Sequence, residues 1–145
     1  YTFYYPGYNF RSTEINAFLG LRQLEKLPSF IEKRHQIFGF YQNYIKNEEW
    51  KPVIPKENLV SNLGYPLIHS KRDKIASALE KAGVECRPFI SGNIARQPAY
   101  RHLLGEVSLP NADRIHDYGM YVPNHPFLTE NDLYTVYSTI NKITD

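Results

Sequence analysis

Apolar residues recur at helical spacing from Ile15 through Phe18, Leu19, Leu24 and Leu27. This predicts a helix capped by Ser12 or Thr13, with Glu14 favourably placed in its first turn. Pro28 has no N–H to donate and suits a first helical position, so the helix bends or restarts there. A second periodic run to about Asn47 sets Ile31, Phe38, Tyr41 and Ile45 on one face. Residues 1–47 therefore read as an aromatic segment, YTFYYPGYNFR with a turn at Pro6-Gly7, leading into a long helical arm. Residues 48–60, with Pro52 and Pro55 among mixed charges, read as a connecting loop.

The period then shortens. Ser61–His69 has strand character, and Pro66 within it argues for an edge strand or a bulge. Ser70 and Asp73 resemble a capping box for a helix whose apolar face is Ile75, Ala78, Leu79 and Ala82 and which Gly83 stops. Val84–Ile90 is expected as the next strand, delivering Ser91-Gly92-Asn93 as a tight turn. Short helices follow at Pro98–Leu104 and from about Asn111 to Tyr118, then a short strand at Met120–Val122 ending at Pro123. Thr129 with Asp132 opens a final amphipathic helix carrying Leu133, Val136, Tyr137, Ile140 and Ile143. This order predicts an α+β fold, with helices packed on a small, mostly antiparallel sheet. Residues 61–145 would form the small α+β unit, and 1–145 a single domain.

Composition narrows the classes. Seventeen Lys and Arg against fifteen Asp and Glu are too balanced to imply a nucleic-acid or membrane partner. No apolar run approaches the about 18 residues of a spanning helix. One cysteine, Cys86, excludes a disulfide framework within the chain and suits a cytoplasmic protein. The twelve tyrosines, four of them in the first eight residues, need places where a ring is buried and a hydroxyl satisfied, which points to an interface or a polar cleft. A start at Tyr1 amid such aromatic density is expected of a fragment or a processed chain.

No Gly-rich phosphate loop, H-E-x-x-H or nucleophile elbow is present. His35, His69, His102, His116 and His125 lack metal-ligand spacing and read as ordinary surface or core histidines, and Cys86 as a passive buried thiol. Two segments carry more. Gly7-Tyr8-Asn9-Phe10-Arg11 runs into a helix start, where unpaired N–H groups attract anions; it also fits a turn in which Asn9 caps its own backbone. Arg87–Gln97, RPFISGNIARQ, flanks a glycine turn with Arg87 and Arg96 and adds Ser91, Asn93 and Gln97. That loop could hold a phosphate or sugar hydroxyls, or be an exposed turn.

These segments carry a resemblance. GYNFRSTEINAFLGLRQL resembles the G-Y-N-x-R-x-x-(D/E)-x-x-A-x-x-G-x-x-Q-L signature of the DegT/DnrJ/EryC1/StrS sugar aminotransferases and dehydratases, at Gly7, Tyr8, Asn9, Arg11, Glu14, Ala17, Gly20, Gln23 and Leu24. The ordered tail LPNADRIHDYGMYVPNHPFLTENDL is similar to that family's C-terminal pattern. VECRPFISGNIARQPAY resembles the 3-dehydratase branch, matching at Arg87, Gly92, Asn93, Arg96, Gln97, Pro98 and Ala99, with Cys86 where Thr is common.

The resemblance implies the C-terminal small domain of an aspartate aminotransferase-like fold, with the large cofactor domain and its catalytic Lys or His upstream. The implied activity is 3-dehydration of a 4-keto-6-deoxy nucleotide sugar, with pyridoxal or pyridoxamine phosphate as cofactor, in deoxysugar or cell-surface polysaccharide biosynthesis. The alternatives are an aminotransferase of the same family, or a stand-alone interaction domain without chemistry. Implied roles are cofactor phosphate for Asn9, reaching the partner subunit of a homodimer, and for Arg11. Tyr8, Arg87, Ser91, Asn93 and Arg96 would contact substrate. No residue of this chain is expected to act as catalyst or metal ligand, and the chain alone is expected to be inactive.

Overall fold

In the computed structural model, which describes residues 1–8, 10–55 and 57–145, six helices surround a three-stranded sheet. Helix α1 (Glu14–Leu24) starts at Thr13, whose hydroxyl accepts the Asn16 N–H, and α2 (Leu27–Tyr44) restarts the arm with Pro28 in its first turn. The sheet comprises β1 (Gly64–Ile68), β2 (Arg87–Pro88) and β3 (Gly119–Pro123), with β3 in the middle and antiparallel to both neighbours. The flanking strands are thus parallel to each other, joined through α3 (Arg72–Lys81), and β3 fills the gap between them. Both flanking strands carry a proline, Pro66 and Pro88, at positions only an edge strand tolerates. Three further helices, α4 (Pro98–Leu104), α5 (Pro110–Tyr118) and α6 (Glu130–Thr144), complete the α+β architecture.

Register decides which face is core. Tyr65 lies opposite Val122 and Leu67 opposite Met120, and all four are buried. Against them pack Ile37, Phe38, Tyr41 and Ile45 from α2, Ile75 and Leu79 from α3, and Leu133, Val136 and Ile140 from α6. Burial pushes the Tyr65 phenol up to about 12 and raises that of Tyr41 as well; the Tyr41 hydroxyl is buried with no hydrogen-bond partner among the described residues. The opposite face of the sheet carries Tyr121 and Phe89, with ring centroids 6.2 Å apart, and Arg87 opposite Tyr121. Helix α6 opens with the Thr129–Asp132 capping box, and Gly83 ends α3 at a φ of 78°.

Two expectations are corrected. Ser70 and Asp73 form no capping box. The Ser70 hydroxyl and N–H instead both donate to the Glu49 carboxylate, Asp73 pairs with Arg72, and His69 Nδ1 takes the Lys71 N–H at 2.9 Å. A long-range acceptor has outcompeted the local one. The strand expected at Val84–Ile90 is paired only at Arg87–Pro88, since Pro88 has no N–H to extend the ladder and the chain turns away at Ser91.

Helix α1 stands apart: none of its residues is buried, and Ile15, Phe18 and Leu21 are exposed. In this chain Leu79→Ala should cost about 2–5 kcal/mol and Phe18→Ala stay within about 0.5 kcal/mol of wild type in urea melts. The Ser70 hydroxyl and N–H hold the Glu49 carboxyl below its ordinary value of 4.5. Its contribution is therefore present above that value and lost as pH falls through the lower folded one. Melting temperature followed on acidification should fall less steeply below about pH 4.5 in Glu49→Gln than in wild type.

Candidate functional site

The chain leaving β2 reverses at Ser91 and Gly92, whose φ values are 66° and 54°. Gly92 is needed for space as well as for conformation, because a Cβ there would lie 2.2 Å from His116 Nδ1. Asn93 follows, 2% exposed. Its N–H donates to His116 Nδ1 at 3.1 Å, its Nδ2 donates to Asp113 Oδ1 at 2.8 Å, and its Oδ1 accepts the Ala95 N–H at 3.0 Å. The last bond opens a single 3-10 turn at Ile94–Arg96. Arg96 then reaches back to the same helix, with Nη1 3.0 Å from Asp117 Oδ1 and 3.5 Å from Asp113 Oδ1. Asp113, His116 and Asp117 are three and four residues apart on α5, hence on one face, and that face fastens the loop.

The other side of the loop is held by Gln97. Its Nε2 donates to the carbonyls of Ser91 at 2.9 Å and Tyr1 at 3.1 Å, and its Oε1 accepts the Phe3 N–H at 3.0 Å. An open cleft of about 660 Å³ lies beside this loop, lined by Tyr1 and Thr2, by Ser91 and Arg96 of the loop, and by Arg72 and His116. Arg72 enters from the first residue of α3, with Nη1 on the His116 carbonyl at 3.0 Å. The two guanidinium groups of the cleft are paired, Arg72 with Asp73 and Arg96 with Asp113 and Asp117, and with Ser91 they make a polar lining that suits sugar hydroxyls and phosphate oxygens able to displace those carboxylates. Among the described residues no lysine lines it, and His116 has already committed Nδ1 to Asn93. Such a set can bind and orient a polar ligand.

Of the residues singled out in the sequence, Ser91, Arg96 and Gln97 line this cleft, and Asn93 is turned away from it into α5. Arg87 is exposed and paired with Glu85, Nε to Oε1 at 2.8 Å, and that carboxylate, with the Tyr1 hydroxyl, raises its pKa further. Tyr8 is exposed and stacked on Phe10, and Arg11 is exposed; neither lines the cleft. Asn9 lies outside the described residues. Cys86 is half-buried, and burial followed by the nearby Glu80 and Glu85 raises its thiol, consistent with a passive role. Arg72 escaped the sequence reading, as did Asp113 and Asp117, and His116 was read there only as an ordinary surface or core histidine. The spacing of the last three on one helix face was the available signal; Arg72 had none.

The sequence model described as the DegT/DnrJ/EryC1/StrS aminotransferase family matches residues 1–141. The chain is 28% identical to a GDP-4-keto-6-deoxy-D-mannose 3-dehydratase of Yersinia pseudotuberculosis, over 98% of this chain and 38% of the relative. It is equally 28% identical to a UDP-4-amino-4,6-dideoxy-N-acetyl-beta-L-altrosamine transaminase of Campylobacter jejuni subsp. jejuni serotype O:2, over 94% of this chain and 38% of that protein. Among solved structures, the E. coli GDP-4-keto-6-deoxy-D-mannose-3-dehydratase with bound hydrated PLP superposes with a TM-score of 0.75 at 26% identity, covering 93% of this chain and 37% of that one. The chain thus spans about 38% of the length of the curated relatives it matches.

The loop network makes a quantitative demand. Asn93→Ala and Asp113→Ala remove the same half-buried bond, so each should destabilise by about 1–2 kcal/mol, and the double variant by clearly less than the sum. Urea melts of the four chains measure this coupling; strict additivity would mean the bond contributes nothing.

Proposed function

This chain belongs to the DegT/DnrJ/EryC1/StrS aminotransferase family, and from that premise we propose that it is the small C-terminal domain of an enzyme remodelling nucleotide-linked sugars, acting in 3-dehydration of a 4-keto-6-deoxy sugar. The observation that carries the proposal is the polar cleft at the Ser91–Gln97 loop, with Arg72 and Arg96 on its walls. That loop and the first residues of α4 hold the Gly92, Asn93, Arg96, Gln97, Pro98 and Ala99 pattern by which the sequence resembles the dehydratases. Arg72 and Arg96 bind phosphate or paired sugar oxygens, Ser91 hydrogen-bonds a sugar hydroxyl, and Asn93 acts indirectly by locking the turn to α5. Arg87, released from Glu85, and Tyr8 remain candidate substrate contacts.

Pyridoxamine phosphate, when bound, would supply the amine and the electron sink that expulsion of a C3 hydroxyl requires. The cleft residues fit the sugar and its phosphates rather than the cofactor ring, so the ring belongs to upstream chain. Asn9 and Arg11 would reach its phosphate across a homodimer interface, in the cytoplasm. The aminotransferase reading has support of its own in the equal identity to a transaminase. A histidine in place of the cofactor lysine upstream would favour the dehydratase.

The full-length protein with pyridoxamine phosphate should convert GDP-4-keto-6-deoxy-D-mannose to a 3-deoxygenated product, and the present chain alone should convert none. Arg96→Ala should raise KM by about tenfold to a hundredfold, the loss of a charged hydrogen bond of about 1.5–3 kcal/mol. Product analysis by mass spectrometry and steady-state kinetics test both; an unchanged KM removes the loop from the site.

A further inference from the structure

The Gln97 carboxamide spends all its donors on two stretches of chain far apart in sequence, Tyr1–Phe3 and the Ser91 turn. The set demands an amide, with one acceptor facing the Phe3 N–H and two donors facing the Tyr1 and Ser91 carbonyls. Those partners fix which end is nitrogen. A carboxylate cannot donate, and asparagine is one methylene short. The backbone of Gln97 is fixed at the same time: its N–H donates to Ile94 O, and its carbonyl accepts from Tyr100 and Arg101 at the start of α4. The Ala99 N–H donates to Phe3 O at 2.9 Å, so both backbone polar groups of Phe3 are held. With Gln97 only 5% exposed, little water competes for these bonds.

We infer that Gln97 is a positioning residue for the cleft, fastening Tyr1–Phe3 to the Ser91 turn so that Tyr1 and Thr2 become a fixed part of the lining they share with Arg72 and Arg96. The inference rests on the cleft being the sugar site. Ser91 is a non-glycine residue at positive φ, a conformation that persists only where its surroundings over-determine it. Helix α5 holds the turn from one side through His116 and Asp113, and Gln97 holds it from the other. Loss of Gln97 therefore frees that segment and the turn together, although the Gly92 and Asn93 amides bond to Phe89 and His116 and not to Gln97.

In the full-length protein, Gln97→Glu and Gln97→Ala are compared with wild type by hydrogen–deuterium exchange of peptides covering residues 1–5 and 90–95, and by kinetics on GDP-4-keto-6-deoxy-D-mannose. Exchange in both peptides should rise about tenfold, and KM about tenfold with kcat within about threefold. A merely structural role lowers the active fraction, hence kcat, and leaves KM alone. Faster exchange confined to residues 1–5, with peptide 90–95 and KM at wild-type values, overturns the inference. If wild type itself does not turn the sugar over, the proposed function falls, and exchange of peptide 90–95 decides the role of Gln97 by itself.

Discussion

The pairing of β3 with both of its neighbours is the constraint on which the rest depends. Its inward residues Met120 and Val122 complete the core beneath Leu67 and Tyr65, and its outward Tyr121 supports Phe89 on the far face. Gly119 fixes where α5 ends and β3 begins, since a side chain there would lie 2.3 Å from the Ile115 carbonyl and 2.4 Å from Phe89. With that junction fixed, the polar face of α5 is aimed at the Ser91 turn. The strand whose inward side completes the core thus also sets, through its junction with α5, the helix that holds the loop.

Much of the fold was legible because its signals are local. The Thr129–Asp132 box, the Gly83 stop and the Pro28 restart each depend on a few neighbouring residues, and each stands where the residues indicate. The errors came where a distant group decided the outcome. Ser70 and Asp73 have the spacing of a capping box, but Glu49 in the preceding loop captures Ser70. Val84, Cys86 and Phe89 have strand character and are partly buried, yet backbone pairing is confined to Arg87 and Pro88.

The candidate site divides the same way. Ser91 and Arg96 could be picked out because a glycine turn flanked by polar residues is a recognisable place for binding, and both line the cleft. Asn93 lies in the same stretch but serves α5, and no local property distinguishes the two roles. Arg72, His116 and Asp117 come from other elements, and only the packing of α3 and α5 around the loop reveals them. A cleft assembled from four stretches of chain cannot be read from any one of them.

The contribution of α6 has a consequence for biosynthesis. Leu133, Val136 and Ile140 close the apolar face that α2, α3 and the sheet leave open. A nascent chain on the ribosome therefore carries an incomplete core until translation has passed Ile140, and its sheet, built on contacts distant in sequence, gains little protection before then. A premature stop inside α6 would leave the part of that apolar face covered by Leu133, Val136 and Ile140 open to solvent and to quality control.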